Sequence, residues 1–187
     1  MPSQFGAVQL AHEFLAAHVR EGDLCIDCTA GRGNDTAFLC ALVGKTGRVI
    51  AFDIQQAAVD STNALLAERK LTAEVHLASH SRIDEFAEAG TVSAIVFNFG
   101  WLPGGDHTVN TRSETSIEAI EKGLKLLKAN GVMSLSIYYG RETGTDERDA
   151  ILKYLKTLPL REYTVIVSEF VNRPNDPPIS VRIYKGR

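Results

Sequence analysis

The chain has 187 residues, 44% of them hydrophobic and 23% charged, with a formal net charge of -3. That length predicts one domain, residues 1–187, with a core large enough to stand without disulfide or metal staples, and the composition is that of a soluble globular protein rather than a disordered or fibrous one. Mild acidity excludes indiscriminate coating of nucleic acid, which draws on an excess of Lys and Arg, but leaves a local basic patch open; no run has the length of a membrane span or the pattern of a signal peptide, so a cytoplasmic location without a membrane partner is expected.

Apolar spacing at Val8, Leu10, Ala11, Phe14, Leu15 and Val19 predicts an amphipathic helix within residues 1–20, packed on the sheet edge or lidding the site. Strand 23–28, helix 34–43, strand 47–52, helix 55–70, strand 73–78, helix 81–89 and strand 92–98 follow in alternation. After a loop over 99–112 come helix 113–128, strand 131–138, helix 145–157 and two strands, 161–170 and 179–185. Short buried strands alternating with helices predict an α/β fold with a mostly parallel sheet and helices on both faces. Only Asn172-Arg173-Pro174-Asn175-Asp176-Pro177-Pro178 separates the last two strands, too short for a crossover, so they form an antiparallel terminal hairpin. Seven strands ending this way are the Rossmann-like plan of class I methyltransferases, whereas a nicotinamide-linked dehydrogenase would continue with parallel strands and a further domain.

Cys25, Cys28 and Cys40 make neither a disulfide framework nor a zinc site. The odd separation of Cys25 and Cys28 sends their side chains to opposite faces of a strand, and no second Cys or His pair completes four ligands. They read as small core residues, and no metal is expected.

The segment Asp27-Cys28-Thr29-Ala30-Gly31-Arg32-Gly33-Asn34-Asp35 leaves the first strand and opens a helix, the strand, glycine turn and helix N-terminus that let backbone approach a nucleotide. About twenty residues beyond Gly31 the second strand ends on Asp53, whose carboxylate can accept hydrogen bonds from both hydroxyls of a ribose. S-adenosyl-L-methionine fits this pair: the Thr29–Gly33 amides approach its methionine moiety and ribose, Asp53-Ile54-Gln55 holds the ribose, and Ser79-His80 lies where an adenine edge would be read. Asp27 either binds the amino group of the cofactor or holds the loop.

At the tip of the fourth strand stands Asn98-Phe99-Gly100-Trp101-Leu102-Pro103-Gly104-Gly105-Asp106-His107. It resembles the Asn-Pro-Pro-aromatic segment of amino-group methyltransferases. A nitrogen nucleophile must present its lone pair in line with the sulfonium methyl, so an acceptor such as the Asn98 side-chain oxygen orients its N–H groups. Phe99 or Trp101 can stack on a planar base, and Asp106 or His107 can take a proton from an incoming ammonium. Tyr138 and Tyr139 end the fifth strand near the same cleft. Arg32, Arg112, Arg141 and Arg173 fall in loops on this edge as candidate phosphate contacts, Arg112 and Arg141 being placed in the substrate set.

Together, Asp27-x-Thr29-Ala30-Gly31-x-Gly33-Asn34-Asp35-Thr36, Phe52-Asp53-Ile54-Gln55, Asn98-Phe99-Gly100-x-Leu102-Pro103-Gly104-Gly105-Asp106, Tyr138-Tyr139-Gly140 and Asn172-x-x-Asn175-x-Pro177-Pro178 resemble the small bacterial family first labelled as rRNA methylases, across nearly the whole chain. The resemblance implies methyl transfer from S-adenosylmethionine to the exocyclic amine of 5-aminomethyl-2-thiouridine at the tRNA wobble position, with the anticodon stem-loop as partner. One departure is local: relatives carry a His and further Gly after the strand-five Tyr-Gly, where this chain has Arg141-Glu142-Thr143-Gly144. Methylation of rRNA or of a small amine on the same scaffold, and a non-catalytic cofactor- or RNA-binding module, are the alternatives. A short domain without an appended RNA module would gain footprint as a homodimer.

Overall fold

The computed structural model describes residues 6–100, 111–139 and 142–187. The elements run α1 (Ala7–His18), β1 (Leu24–Asp27), α2 (Asn34–Val43), β2 (Arg48–Asp53), α3 (Gln56–Arg69), β3 (Glu74–Leu77), a 3-10 helix (His80–Glu85), β4 (Val92–Phe99), α4 (Ser113–Leu126), β5 (Leu127–Ile137), α5 (Glu142–Leu155), β6 (Tyr163–Ser168) and β7 (Ile179–Lys185). Seven strands form one sheet in the order β3-β2-β1-β4-β5-β7-β6. The first five are parallel, and β7 is antiparallel to both β5 and β6. Both the α/β class and the terminal hairpin expected from the short Asn172–Pro178 connection are present, and the observed link between β6 and β7 runs over 169–178. Among the described residues no helix is long and apolar enough to cross a membrane.

Strand alternation builds the two cores. Cys25, Val49, Ala94, Val96 and Val132 face Phe14 and Leu15 of α1, Leu39 and Val43 of α2 and Leu66 of α3. Their neighbours Ile26, Ile50, Ile95, Phe97 and Met133 face the other way, against Ile83 of the 3-10 helix, Ile120 and Leu124 of α4 and Ile151 of α5. Being covered on both faces, β4 is buried over six consecutive residues, Val92 to Phe97. On α4 the buried positions Ser116, Ala119, Ile120, Gly123 and Leu124 recur at helical spacing, so one stripe meets the sheet. Cys25 and Cys28 join opposite cores, and burial pushes the Cys25 thiol up to about 12 and that of Cys40 up to about 11.

Two elements differ from the sequence expectation. The helix expected over 81–89 is a 3-10 turn: the Ser79 hydroxyl accepts from the Ser81 amide, and Arg82 N and Phe86 N bond three residues back, to Ser79 and Ile83. Of its apolar residues Ile83 is buried and Phe86 and Ala87 are partly so, and no full apolar stripe favours a longer α-helix. The strand expected from 131 begins at Leu127, which pairs with Val92 before the register shifts. Asn130, with φ 61, makes the irregularity, and regular pairing resumes at Val132.

Ile95 lies at the centre of β4 with no exposed surface and touches the core on the α4 face. Ile95→Ala is expected to lower unfolding stability by about 2–5 kcal/mol, measured by urea denaturation.

Candidate active site

The chain order reverses between β1 and β4: β2 and β3 lie on one side of the pair, β5 to β7 on the other. In an open α/β sheet this reversal opens a crevice beyond the strand carboxyl ends. The backbone leaving β1 is stitched to both neighbours, Cys28 N donating to Val96 O at 2.9 Å and Ala30 N to Phe52 O at 2.8 Å. Around the crevice lies a cavity of about 270 Å³ lined by Val8, Thr29, Ala30, Gly31, Arg32, Asn34, Asp35, Asn98, Phe99 and Tyr138. That volume is near the lower end of the roughly 300–1,000 Å³ of small-molecule sites. A larger cavity of about 530 Å³, between Gly44, Arg48 and Leu71, sits at the opposite end of the strands, away from this reversal.

The glycine turn is held from beneath. Asp27 has no exposed surface; its carboxylate accepts from Thr29 N at 3.1 Å and Thr36 Oγ1 at 2.6 Å, tying the end of β1 to the first turn of α2. Burial first, and the neighbouring Asp35 carboxylate second, push Asp27 up to about 7. Gly33 has φ 82, and a Cβ there would lie 2.9 Å from the Thr62 Cα, so both conformation and the approach of α3 demand glycine. Asp53 grips the turn from the other strand, accepting from Gly31 N at 2.9 Å and from Gln55 N at 3.0 Å. Beside it Ile54 and Leu77, the latter its register partner on β3, leave about half their surface exposed (54% and 53%), an apolar shoulder beside the carboxylate.

His80 starts the 3-10 helix with 8% of its surface exposed, its ring edge-on to Phe97 and Phe99. Burial lowers its pKa, and its Nε2 has no hydrogen-bond partner among the described residues. Ser79 Oγ caps Ser81.

Asn98 forms the opposite wall. Its backbone N donates to Thr29 Oγ1 at 2.8 Å and its side-chain Nδ2 to Asp35 Oδ2 at 2.6 Å. A carboxylate only accepts, so Asp35 fixes which end of the amide faces it and turns the acceptor Asn98 Oδ1 away from it. The other Asp35 oxygen bonds His12 Nε2 at 2.6 Å, and the His12 ring stacks on Phe38, 3.8 Å between centroids and 3° from parallel. The sequence reading did not name His12, and took Val8 only as part of the apolar face of the first helix; no local pattern marks either as a site residue.

The aromatic candidates separate. Phe99 borders the cavity, but its ring is fully buried and stacked on Phe97, because odd and even residues of β4 take opposite faces; a base-stacking shelf would need that ring exposed. Tyr138 lines the cavity, and burial, then the Asp35 charge, raise its pKa. Tyr139 turns to the core side, with the Arg148 guanidinium 4.5 Å from its ring. Arg32 lines the cavity, whereas Arg112 precedes α4 and Arg173 lies 4.0 Å over the Phe170 ring. Trp101, Asp106, His107 and Arg141 lie outside the described residues. The flanking residues of the 101–110 segment are joined: Gly100 N donates to Thr111 Oγ1 at 2.9 Å, Thr111 N to Gly100 O at 3.2 Å, and the Thr111 hydroxyl to buried Glu147 at 2.7 Å.

S-adenosylmethionine fits this wall. A backbone cradle that a Cβ would fill, the Asp53 carboxylate with an apolar shoulder, and the acidic pair Asp27 and Asp35 beside the cavity suit a nucleoside carrying a positive sulfonium.

Comparison with known proteins agrees. Residues 49–184 match the model of the family described as "Putative rRNA methylase". An Arabidopsis thaliana protein named tRNA (mnm(5)s(2)U34)-methyltransferase, chloroplastic, is 32% identical over 190 residues, covering 96% of this chain and 69% of its own. Among solved structures, a "putative rRNA-methylase" from Clostridium thermocellum superposes with a TM-score of 0.94 at 39% identity, covering 96% of this chain and 97% of its own. A Streptococcus mutans protein solved in complex with SAH has a TM-score of 0.88 at 33% identity, covering 99% of both chains.

Asp53→Ala removes two charge-assisted bonds, and titration calorimetry is expected to show at least about tenfold weaker S-adenosylmethionine binding; unchanged affinity would remove Asp53 from the site. For Asp27 the folded pKa stands above its ordinary value of 3.8, so its contribution to stability falls as pH rises from there toward 7. A cation in the adjoining cavity favours the ionised form. Binding at about pH 6 is therefore expected to release protons, read as a dependence of binding enthalpy on buffer ionisation heat, and Asp27→Asn is expected to abolish the release.

Proposed function

The chain belongs to the rRNA methylase family and is an S-adenosyl-L-methionine-dependent methyltransferase, and on that premise we propose that it methylates the exocyclic amine of 5-aminomethyl-2-thiouridine at the tRNA wobble position, giving 5-methylaminomethyl-2-thiouridine. The observation that carries this reading is the Asn98 side chain, whose Nδ2 is committed to Asp35 and whose oxygen is left to accept, on a wall shared with the Thr29–Asp35 turn. The name of the Arabidopsis relative supports the choice of nucleoside.

When bound, S-adenosylmethionine supplies a sulfonium methyl: the C–S bond breaks with its electron pair staying on sulfur, a C–N bond forms, and the nitrogen loses a proton. The residues of this chain position the partners. Thr29, Gly31, Gly33, Asn34 and Asp35 form the cofactor wall, with Asp53, Ile54 and Gln55 toward the ribose and Ser79 and His80 toward the base. Asn98 Oδ1 accepts from the amine N–H and so turns the nitrogen lone pair toward the methyl. Transfer from a sulfonium is favourable in itself, so alignment supplies much of the rate; Asp106 or His107 takes the departing proton. Tyr138 borders the substrate side, and Trp101, Arg112 and Arg141 are assigned to the anticodon stem-loop. In this reading the whole chain acts as one methyltransferase domain in the cytoplasm, and a homodimer extends its footprint on tRNA.

Nucleoside mass spectrometry of tRNA from cells lacking the protein is expected to show accumulated 5-aminomethyl-2-thiouridine at the expense of its methylated product. Unchanged tRNA nucleosides would refute the assignment, and a methyl lost from rRNA instead would move it to that substrate. In vitro, Asn98→Ala is expected to lower kcat up to about 100-fold while leaving cofactor affinity near wild type.

A further inference from the structure

We infer that His12 is a positioning residue of the methyl-transfer site: its ring donates to Asp35, Asp35 accepts from the Asn98 amide, and this chain of bonds holds the Asn98 oxygen in place as the acceptor for the substrate amine. The inference rests on the proposed reaction at that amine and deepens it.

The geometry is closed at every link. His12 Nε2 and Asn98 Nδ2 each lie 2.6 Å from a different oxygen of the same Asp35 carboxylate. The carboxylate has no proton to give, so both neighbours donate, which places the His12 proton on Nε2 and the Asn98 NH₂ toward Asp35. An amide turned by 180° would present N–H groups to an incoming N–H donor and repel it, so the orientation matters for the nucleophile. Without His12, one Asp35 oxygen loses its partner and the carboxylate is free to turn about its last torsion, taking the Asn98 amide with it. The His12 ring cannot readily swing away, because it lies flat against Phe38. Asp35 stands close enough to buried Asp27 to disfavour the charge there. The three residues come from α1, α2 and β4, and α1 also brings Val8 to the same cavity. The first helix thus contributes to the site, and its anchor in the site is His12.

Two variants separate the hydrogen bond from the ring. His12→Phe keeps a flat ring for Phe38 and lacks the donor, whereas His12→Gln lacks the ring and keeps an amide N–H at about the reach of Nε2. With an anticodon stem-loop carrying 5-aminomethyl-2-thiouridine as substrate, His12→Phe is expected to lower kcat about tenfold, the effect of one hydrogen bond, with S-adenosylmethionine affinity within about twofold of wild type; His12→Gln is expected to recover most of kcat. Nuclear magnetic resonance of the Asn98 side-chain amide, assigned with Asn98→Asp, is expected to show slow proton exchange in wild type and His12→Gln and faster exchange in His12→Phe. Wild-type kcat and unchanged exchange in His12→Phe would overturn the inference, and so would equal loss in both variants, which marks a purely structural ring. If wild-type protein leaves the stem-loop unmethylated, the proposed reaction fails, and the exchange measurement alone decides the role of His12.

Discussion

A carboxylate with no access to water organises this end of the molecule. Asp27 closes β1 by accepting from the amide two residues ahead and the hydroxyl nine ahead, which forces the chain to turn at once into α2. Burying a carboxylate is costly unless it is hydrogen-bonded, and here the cost is offset by a loop with one shape. That shape leaves Thr29 Oγ1 where the Asn98 amide can reach it, and so joins the carboxyl ends of β1 and β4. The left-handed Gly33 and the Gly31 amide bound to Asp53 follow from the same turn.

The electrostatic outcome is uneven. Asp27, Asp35 and Asp53 surround a short glycine loop, and the amides of Gly31 and Thr29 each answer one of them. Such a wall suits a ligand whose reactive centre is cationic. It is poorly suited to the pyrophosphate of a dinucleotide, which would meet these carboxylates. The solved relative with SAH and the antiparallel β7 agree with that distinction.

Much of the architecture was legible in the sequence because strands such as Ala94-Ile95-Val96-Phe97 are continuous apolar runs and the Asn172–Pro178 connection is too short to cross over. Asp53 was legible because a second strand ending on an acid has a fixed relation to the glycine turn. His12 was not, because its partner lies 23 residues away on another helix and no local pattern records that meeting. The setting of Phe99 was not legible for a related reason: residue type suggests an exposed ring, but strand parity buries it beside Phe97 at the cavity border. The segment 81–89 holds enough helix formers to suggest an α-helix, but its apolar residues make no full stripe, and the chain takes a tighter turn instead.

The bond between Asn98 N and Thr29 Oγ1 spans 69 residues. Its formation must therefore await closure of a long loop, an entropic cost that grows slowly with length but comes before any contact rewards it. During synthesis the glycine turn and Asp53 leave the ribosome well before β4, and half a crevice exists without its opposite wall. The crevice is thus complete only when the fourth strand lies beside the first.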